Sequence, residues 1–284
     1  MRALVLGFAA LAACGGDDGA TPGVDAAPDA PPVQAISIAF AAEVGGMPFV
    51  CGQTYTGVGA NASPYQGADF RFYVHDVRLF GPAGDTPVTL DVDQWQSADG
   101  IALLDFEDGT AACQMGSAGT HTALTGTVPP GTYTGVAFTV GVPFAQDHLD
   151  ATTATSPLDV PAMYWSWSAG YKFLKVDGVV NGLGFNLHVG STGCNTTGTM
   201  PPTAPCDSPN LIDVRLAGFT PGTSTVVTDI ARVLTDVNVS HNTTDTAPGC
   251  MSFPGDPECD TIFPKLGLAY GTNPPLAQRL FTLR

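Results

Sequence analysis

The sequence is short of basic residues: it has 10 Lys and Arg against 26 Asp and Glu, and a formal net charge of −16. This balance excludes a nucleic-acid binder, because phosphate contacts need a dense Lys/Arg surface. The chain has no hydrophobic run of the roughly 20 residues that a membrane-spanning helix needs. It also lacks a Walker loop, a dinucleotide fingerprint, a His-Glu-x-x-His motif, a nucleophile elbow and a Cys-x-x-Cys-His haem motif. We therefore predict that the protein is not an enzyme.

Glycine and proline are plentiful, with 34 and 24 residues. They are too frequent for long helices, while a hydrophobic content of 44% is too high for a disordered chain. Short apolar segments rich in β-branched and aromatic residues alternate with turn residues from position 35 onward, which predicts one all-β domain over 35–284, an antiparallel β-sandwich. The predicted strands are Ile36–Val44, Phe70–Phe80, Val88–Val92, Ile101–Phe106, Thr132–Val140, Tyr164–Val176, Gly184–Val189 and Leu211–Ala217. One segment, Val226–Val237, has the periodicity of a helix.

The N-terminus has the pattern of a lipoprotein signal peptide. Residues 1–13 carry one positive charge, Arg2, followed by a short apolar run that ends in Leu-Ala-Ala before Cys14. This resembles a bacterial lipobox, so we predict that residues 1–14 end at a lipidated Cys14. Residues 15–34 are acidic, rich in Pro, Gly and Ala, and free of aromatic residues, as in an extended tether. The sequence thus predicts a bacterial cell-envelope protein whose contact with the membrane is its lipid anchor.

Six cysteines remain after Cys14 is assigned to the lipid: Cys51, Cys113, Cys194, Cys206, Cys250 and Cys259. An even count in an oxidising compartment favours disulfides, although six cysteines allow 15 pairings. The pairs Cys194–Cys206 and Cys250–Cys259 would enclose short Pro/Gly-rich loops, which leaves Cys51–Cys113 as the third.

Three of the five histidines lie in or beside predicted strands. His75 lies within an apolar strand, His148 lies in the loop after the predicted strand Thr132–Val140, and His188 lies at the end of a strand. Neutral imidazole is a common metal ligand, and strand ends of one sandwich can converge. His121 and His241 lie in Thr/Asn-rich loops, where a solvated side chain is the expectation.

The densest aromatic segment runs from Met163 to Phe173 and contains Trp165 and Trp167. In a strand the two tryptophans share one face, which fits either a sandwich core or an exposed aromatic surface that binds glycan or a protein. A separate acidic turn, formed by Asp105, Glu107 and Asp108, leaves a hydrolase or a calcium site as weaker alternatives.

Several segments, taken together and in order, resemble the MbnP-like family of copper-binding proteins from about Ser37 to Leu268. These segments are Val74–Leu79, Ala102–Gly109, Phe138–Pro143, Met163–Trp167, Gly170–Phe173, His188–Cys194, Gly249–Cys259 and Leu266–Leu268.

The resemblance implies an extracytoplasmic protein that binds copper, in copper acquisition or homeostasis. Cysteines locked in disulfides leave histidine as the main donor, and two or three imidazoles form an adequate low-coordinate site for Cu(I), which we expect rather than Cu(II). It further implies a partner, a diheme MauG-like peroxidase, that oxidises a tryptophan of this chain to kynurenine. Carried over by position, the ligands are His75, His148 and His188. The tryptophan candidates for modification are Trp165, Trp167 and Trp95. Asp147 stands where the family commonly has Asn before the middle histidine.

Overall fold

The computed structural model describes residues 32–166, 168–196 and 200–284. Residues 1–31, which include Cys14, lie outside the described residues, and so does Trp167. The lipid anchor at Cys14 and the modification of Trp167 therefore stay predictions. In the described part of the chain, no helix is both long enough and apolar enough to cross a membrane.

Strands dominate the described chain, and its helices have at most five residues. The strands are β1 (Gln34–Val44), β2 (Met47–Pro48), β3 (Thr54–Val58), β4 (Ser63–Gly81), β5 (Gly84–Pro87), β6 (Thr89–Leu90), β7 (Ala102–Asp105), β8 (Ala123–Val128), β9 (Gly135–Val140), β10 (Tyr164–Ser166), β11 (Gly170–Tyr171), β12 (Leu174–Val180), β13 (Leu183–Val189), β14 (Ile212–Ala217), β15 (Thr225–Asp229), β16 (Gly249–Cys250) and β17 (Phe281–Leu283). The helices are α1 (Phe144–Asp147), α2 (Ala231–Leu234) and α3 (Ile262–Leu266), with single 3-10 turns at Pro161–Met163 and Pro257–Cys259.

Two sheets form the sandwich, which confirms the predicted fold class. The smaller sheet has the order β17-β15-β1-β8-β6, with β2 beside β1. The larger has the order β14-β9-β4-β12-β13-β16, and β3, β5 and β7 also pair with the long strand β4. Most pairs are antiparallel, but β1–β15 and β13–β16 are parallel.

The core lies between the two sheets and is aromatic at its centre. Phe40 of β1 contacts Phe72 of β4 and Phe138 of β9, with ring centroids 6.1 and 5.5 Å apart. Alternate residues of β4, such as Arg71 and Tyr73, point to the opposite, outer face of the large sheet. This outer face is covered by a second apolar cluster built around Tyr73, Tyr171 and Met163. Side chains on it are therefore buried although they lie outside the sandwich core.

The predicted helix at Val226–Val237 is wrong for its first half. Thr225–Asp229 form strand β15, and only Ala231–Leu234 form a helical turn. The run Thr-Val-Val-Thr is rich in β-branched residues, and its parallel pairing with β1 overrides the helical spacing of the apolar residues that follow. The predicted strand Tyr164–Val176 is likewise divided into β10, β11 and β12.

The three predicted disulfides are confirmed: the structure contains Cys51–Cys113, Cys194–Cys206 and Cys250–Cys259. They indicate folding in an oxidising compartment.

Candidate metal centre

A row of charged side chains crosses the outer face of the large sheet. The strand register places Arg71 of β4 beside Lys175 of β12, and Lys175 beside His188 of β13. The next row on the same face contains Asp69 and Asp177, which are cross-strand partners. All five positions follow from the two-residue alternation of strands whose other face enters the sandwich core.

These charges compensate one another. Lys175 Nζ contacts Asp69 and lies 2.7 Å from Asp177 Oδ2, while Arg71 Nε donates to Asp69 Oδ1 at 2.8 Å. Arg71 also lies 3.3 Å from Glu107. Arg71, Asp69 and Lys175 are all buried. A buried charge is tolerated only when it is paired, so the row acts as one electrostatic unit.

His188 stands at one end of this row. Its Nε2 is 2.5 Å from Asp177 Oδ1, and its Nδ1 is buried with no hydrogen-bond partner among the described residues. Burial opposes the ionisation of Asp177, but the hydrogen bond from His188 and the charges of His188 and Lys175 outweigh it and hold the pKa of this carboxyl below its usual range. An ionised carboxylate only accepts, so Nε2 carries the proton of this contact, and the second ring nitrogen, Nδ1, is the one left to bind a metal. A carboxylate that orients an imidazole in this way is typical of metal-binding histidines.

Trp165 of β10 covers His188. The two ring centroids are 6.2 Å apart, and Phe253 lies at the same distance from the indole. Glycine at position 190 makes this possible, because a Cβ there would come within 2.4 Å of the indole ring. The indole is half-buried and therefore lies between the imidazole and the surface.

Lys172 lies above the same indole, with Nζ 5.8 Å from the ring centroid. Its ammonium donates to the carbonyl oxygen of Ala162 at 2.8 Å. Burial, together with the positive charge of Lys175, lowers the pKa of Lys172 to about 8. The amine therefore titrates close to physiological pH, beside an aromatic ring.

His148 follows directly after helix α1. Its Nε2 is 3.3 Å from Asp147 Oδ2 and 3.5 Å from the sulfur of Cys206. Asp147 accepts from the backbone of Tyr171 and the hydroxyl of Ser191, which follows Gly190. Burial raises the pKa of Asp147 to about 7, although these two hydrogen bonds lower it.

This sequence of contacts connects His148 to the Trp165 site. A grouping of His148 with Cys194 and Cys206 places three donor atoms within 4.8 Å, but both sulfurs belong to the Cys194–Cys206 disulfide and are not thiolate ligands.

His75 stands apart from His188. It lies on β4 four residues beyond Arg71, in the register of Thr139 of β9. Two strand spacings and four residues separate it from His188, or about 16 Å between Cα atoms.

A bulge follows His75, and Asp76 has a φ of 50°. Simple alternation places Asp76 on the face opposite to His75, but the bulge moves it to the exposed surface and returns Val77 to the core. The Nε2 of His75 is buried without a hydrogen-bond partner in the part of the chain that the structure describes, and burial lowers the pKa of His75.

Trp95 is in a second aromatic pair. Its indole stacks on His121, with centroids 5.6 Å apart and an interplanar angle of 5°. His121 is therefore held in place rather than freely solvated, with its Nδ1 2.6 Å from the carbonyl oxygen of Leu103. His241 is exposed, as expected.

Comparison with known proteins identifies the family of this chain. A family model described as MbnP matches residues 33–252. The chain belongs to the MbnP family. The solved structure of MbnP from Methylosinus trichosporium superposes with a TM-score of 0.80 and 29% sequence identity, covering 89% of this chain and 98% of that chain. A search of curated proteins found no match.

The charged row of this MbnP-family chain was not predicted from the sequence. Its signal was present, since Asp69 and Arg71, and again Lys175 and Asp177, are charged pairs two residues apart within apolar strands. Such pairs mark an outer face, but only the register shows that they meet.

Proposed function

We propose that this MbnP-family protein binds copper as Cu(I) and that His188 Nδ1 is its central ligand. The observation that carries the proposal is a buried imidazole nitrogen with no hydrogen-bond partner in the described structure, on a ring whose other nitrogen donates to Asp177. Imidazole is a suitable ligand for copper, and burial of the unpaired nitrogen is unfavourable unless something occupies it. His148 is the proposed second imidazole, because contacts through Asp147 and Ser191 connect it to the Trp165 site. His75 remains a prediction from the family resemblance.

The proposal includes a modified tryptophan and a partner enzyme. A diheme MauG-like peroxidase would oxidise one tryptophan of this chain to kynurenine, so that this protein is the substrate of that reaction. Among Trp165, Trp167 and Trp95, contact with His188 favours Trp165. Opening of its indole leaves an aryl amine on a side chain that already lies beside the proposed ligand.

The same contact weighs against the alternative of an adhesion or glycan-binding module. An aromatic binding surface would present its tryptophans to solvent, away from histidine. Trp165 is instead half-buried between His188, Phe253 and Lys172.

The decisive experiment is a competition titration of the folded protein with a chromophoric Cu(I) chelator. His188→Gln should abolish binding that competes with the chelator. Asp177→Asn, which keeps both imidazole nitrogens but removes the carboxylate that orients them, should weaken binding about 10- to 100-fold. His241→Gln, an exposed histidine outside the site, is the matched control and should bind as the parent does. Parental affinity in His188→Gln would refute the proposed ligand.

Peptide mass spectrometry of the protein from its own host tests the modification. Kynurenine differs from tryptophan by the loss of one carbon and the gain of one oxygen. The peptides that contain Trp95 and the segment from Trp165 to Trp167 show directly which side chain carries it. Unmodified tryptophans would reject the partner reaction while leaving copper binding by histidine to the titration above.

A further inference from the structure

A cleft of about 680 Å³ lies away from His188, at the other end of the charged row. Its wall includes Arg71, Trp95, Asp105 and Asp159. Its volume is in the range of cavities that hold small organic ligands. No contact of the proposed copper site uses it.

The cleft has one aromatic wall in a fixed position. His121 covers one face of the Trp95 indole and does not line the cleft, whereas the indole does. Gly119 leaves room for the ring, since a Cβ there would come within 3.1 Å of it. The backbone of Trp95 is held by a hydrogen bond from Leu103 N to its carbonyl oxygen at 2.9 Å. The indole is thus held in place before any ligand arrives.

At the floor of the cleft lies a carboxyl group, that of Asp105, with only one of its two oxygens in a hydrogen bond to a described residue. Asp105 is 1% exposed and lines the cleft, and its Oδ1 accepts from Glu107 N at 3.1 Å. Its Oδ2 has no hydrogen-bond partner within the described ranges. The positive charge of Arg71 acts on this carboxyl, but the ion pairs of the guanidinium are with Asp69 and Glu107. At the rim, Asp159 is exposed and accepts from Ser156 Oγ at 2.9 Å.

We infer that this cleft binds an organic cation, an ammonium or guanidinium group, between the indole face of Trp95 and the carboxyls of Asp105 and Asp159. An indole face attracts a cation through its quadrupole, most strongly where water is excluded. Asp105 supplies a buried acceptor at the floor and Asp159 a second negative charge at the rim. A hydrated metal ion would gain little from the aromatic wall, whereas an alkylated nitrogen uses both features. The strongly acidic chain attracts cations to its surface.

The protonation state of Asp105 gives the inference a specific signature. Burial raises the pKa of Asp105 to about 8. The positive charge of Arg71 opposes this rise, and the negative charges of Glu107 and Asp69 add to it. The other titratable groups near it are Asp159, which lines the same cleft, and His121, whose backbone pairs with that of Asp105. A bound cation favours the ionised carboxyl, so binding below pH 8 should release a proton, and affinity should rise between pH 6 and 8.

The test uses methylguanidinium chloride as the probe, with intrinsic fluorescence and calorimetry in two buffers of different ionisation enthalpy. We expect saturable binding with a Kd of about 1 mM or tighter, and proton release at pH 7. Asp105→Asn should weaken binding at least about 10-fold and remove its pH dependence, and Trp95→Phe should weaken it a few-fold. Asp159→Asn, at an exposed position that does not threaten folding, should also weaken it. Asp91→Asn, an exposed acid outside the cleft, should change nothing.

Parental affinity in Asp105→Asn, Asp159→Asn and Trp95→Phe, or binding only at molar probe concentration, would overturn the inference. So would displacement of the probe by calcium at stoichiometric concentration. Two further arms separate the sources of the cation. Equal binding of methylguanidinium and an acetylated, amidated Gly-Arg-Gly peptide indicates a small-molecule ligand, whereas preference for the peptide indicates a side chain of a protein partner. Copper binding, measured separately, is not expected to change in Asp105→Asn or Asp159→Asn.

Discussion

At the scale of single residues, the informative feature is an imidazole whose two nitrogens have different surroundings. Asp177 fixes Nε2 of His188, and the other nitrogen is left buried and unpaired. Two aromatic–imidazole pairs, Trp165 with His188 and Trp95 with His121, repeat this juxtaposition of an indole and a histidine at opposite ends of the charged row. The first pair is tilted at 54° and the second is nearly parallel. The proposed copper site and the proposed cation cleft therefore use similar residues in different geometries.

A carboxyl pair near the C-terminus should make stability depend on pH. Oδ2 of Asp256 and Oε2 of Glu258 are buried without partners in the described structure, and burial together with Glu258 raises the pKa of Asp256 to about 6. The folded protein therefore holds a proton that the unfolded chain releases near pH 4. The contribution of Asp256 therefore lowers the free energy of unfolding as pH rises from about 4 to 6, and it does not change further above pH 6.

Asp256→Asn removes this titration. We expect the difference in melting temperature between variant and parent to grow in favour of the variant between pH 4 and 6 and then to stay constant. Comparing the two proteins cancels the other buried acids, such as Asp105 and Asp147, which titrate in both. A difference in melting temperature that does not change with pH would contradict the raised pKa of Asp256. Glu258→Gln keeps the side-chain volume and separates loss of the pair from loss of the hydrogen bond to Thr243.

At the scale of elements, strands β4, β12 and β13 form the frame on which the charged row depends. Lys175 lies at its centre, between Asp69 and Asp177. Lys175→Met leaves the buried carboxylate of Asp69 and the half-buried carboxylate of Asp177 with less compensation, and we expect a loss of about 3–5 kcal/mol in the free energy of unfolding, measured by urea denaturation. Lys172→Met is the matched control, because its ammonium donates to backbone carbonyls and lies over the Trp165 ring instead of pairing with a carboxylate, and it should cost about 1–2 kcal/mol. Equal losses would show that the row does not act as a unit.

The disulfides should contribute in the order of the loops they close. Cys51–Cys113 spans 62 residues and Cys250–Cys259 spans 9. If the main effect is on the unfolded chain, replacing both cysteines of the first pair by Ala costs about 4 kcal/mol, and the same change in the second costs about 2.5 kcal/mol. Denaturation of the two double variants measures the order. The reverse order would place the main contribution of these bonds in the folded state.

The sequence was sufficient for some elements and insufficient for others. The disulfides were predictable because two pairs close short Pro/Gly-rich loops and leave one remaining pair. Strand β15 was missed because the spacing of Ile230, Val233, Leu234 and Val237 is helical, while the partner that makes Thr225–Asp229 a strand lies almost 190 residues earlier. The Trp95 cleft was missed because its walls come from strands β4 and β7 and from loops that are distant in the sequence. Asp177 as the partner of His188 required the register of a hairpin, which no single strand reveals.

At the scale of the whole molecule, the charge of −16 should govern encounters with a partner. A redox partner with a basic face would be drawn to this surface, and screening by salt would weaken the attraction. If a diheme enzyme oxidises this protein, the rate of kynurenine formation at limiting concentration should fall at least several-fold between about 20 and 300 mM salt, while the rate at saturation stays constant. Mixing the two proteins and quantifying the modified peptide by mass spectrometry measures both. A rate independent of salt would indicate docking through uncharged surface.

The parallel pairing of β1 with β15 has a consequence for biogenesis. A chain exported N-terminus first delivers β1 to the outside long before residues 225–229 follow. One edge of the central strand of the small sheet therefore stays unpaired until residues 45–224 have been translocated. Final closure depends on β17, which pairs with β15 at the last residues of the chain. Premature termination anywhere before β15 leaves an exposed strand edge, which is a target for proteases and chaperones outside the cytoplasm.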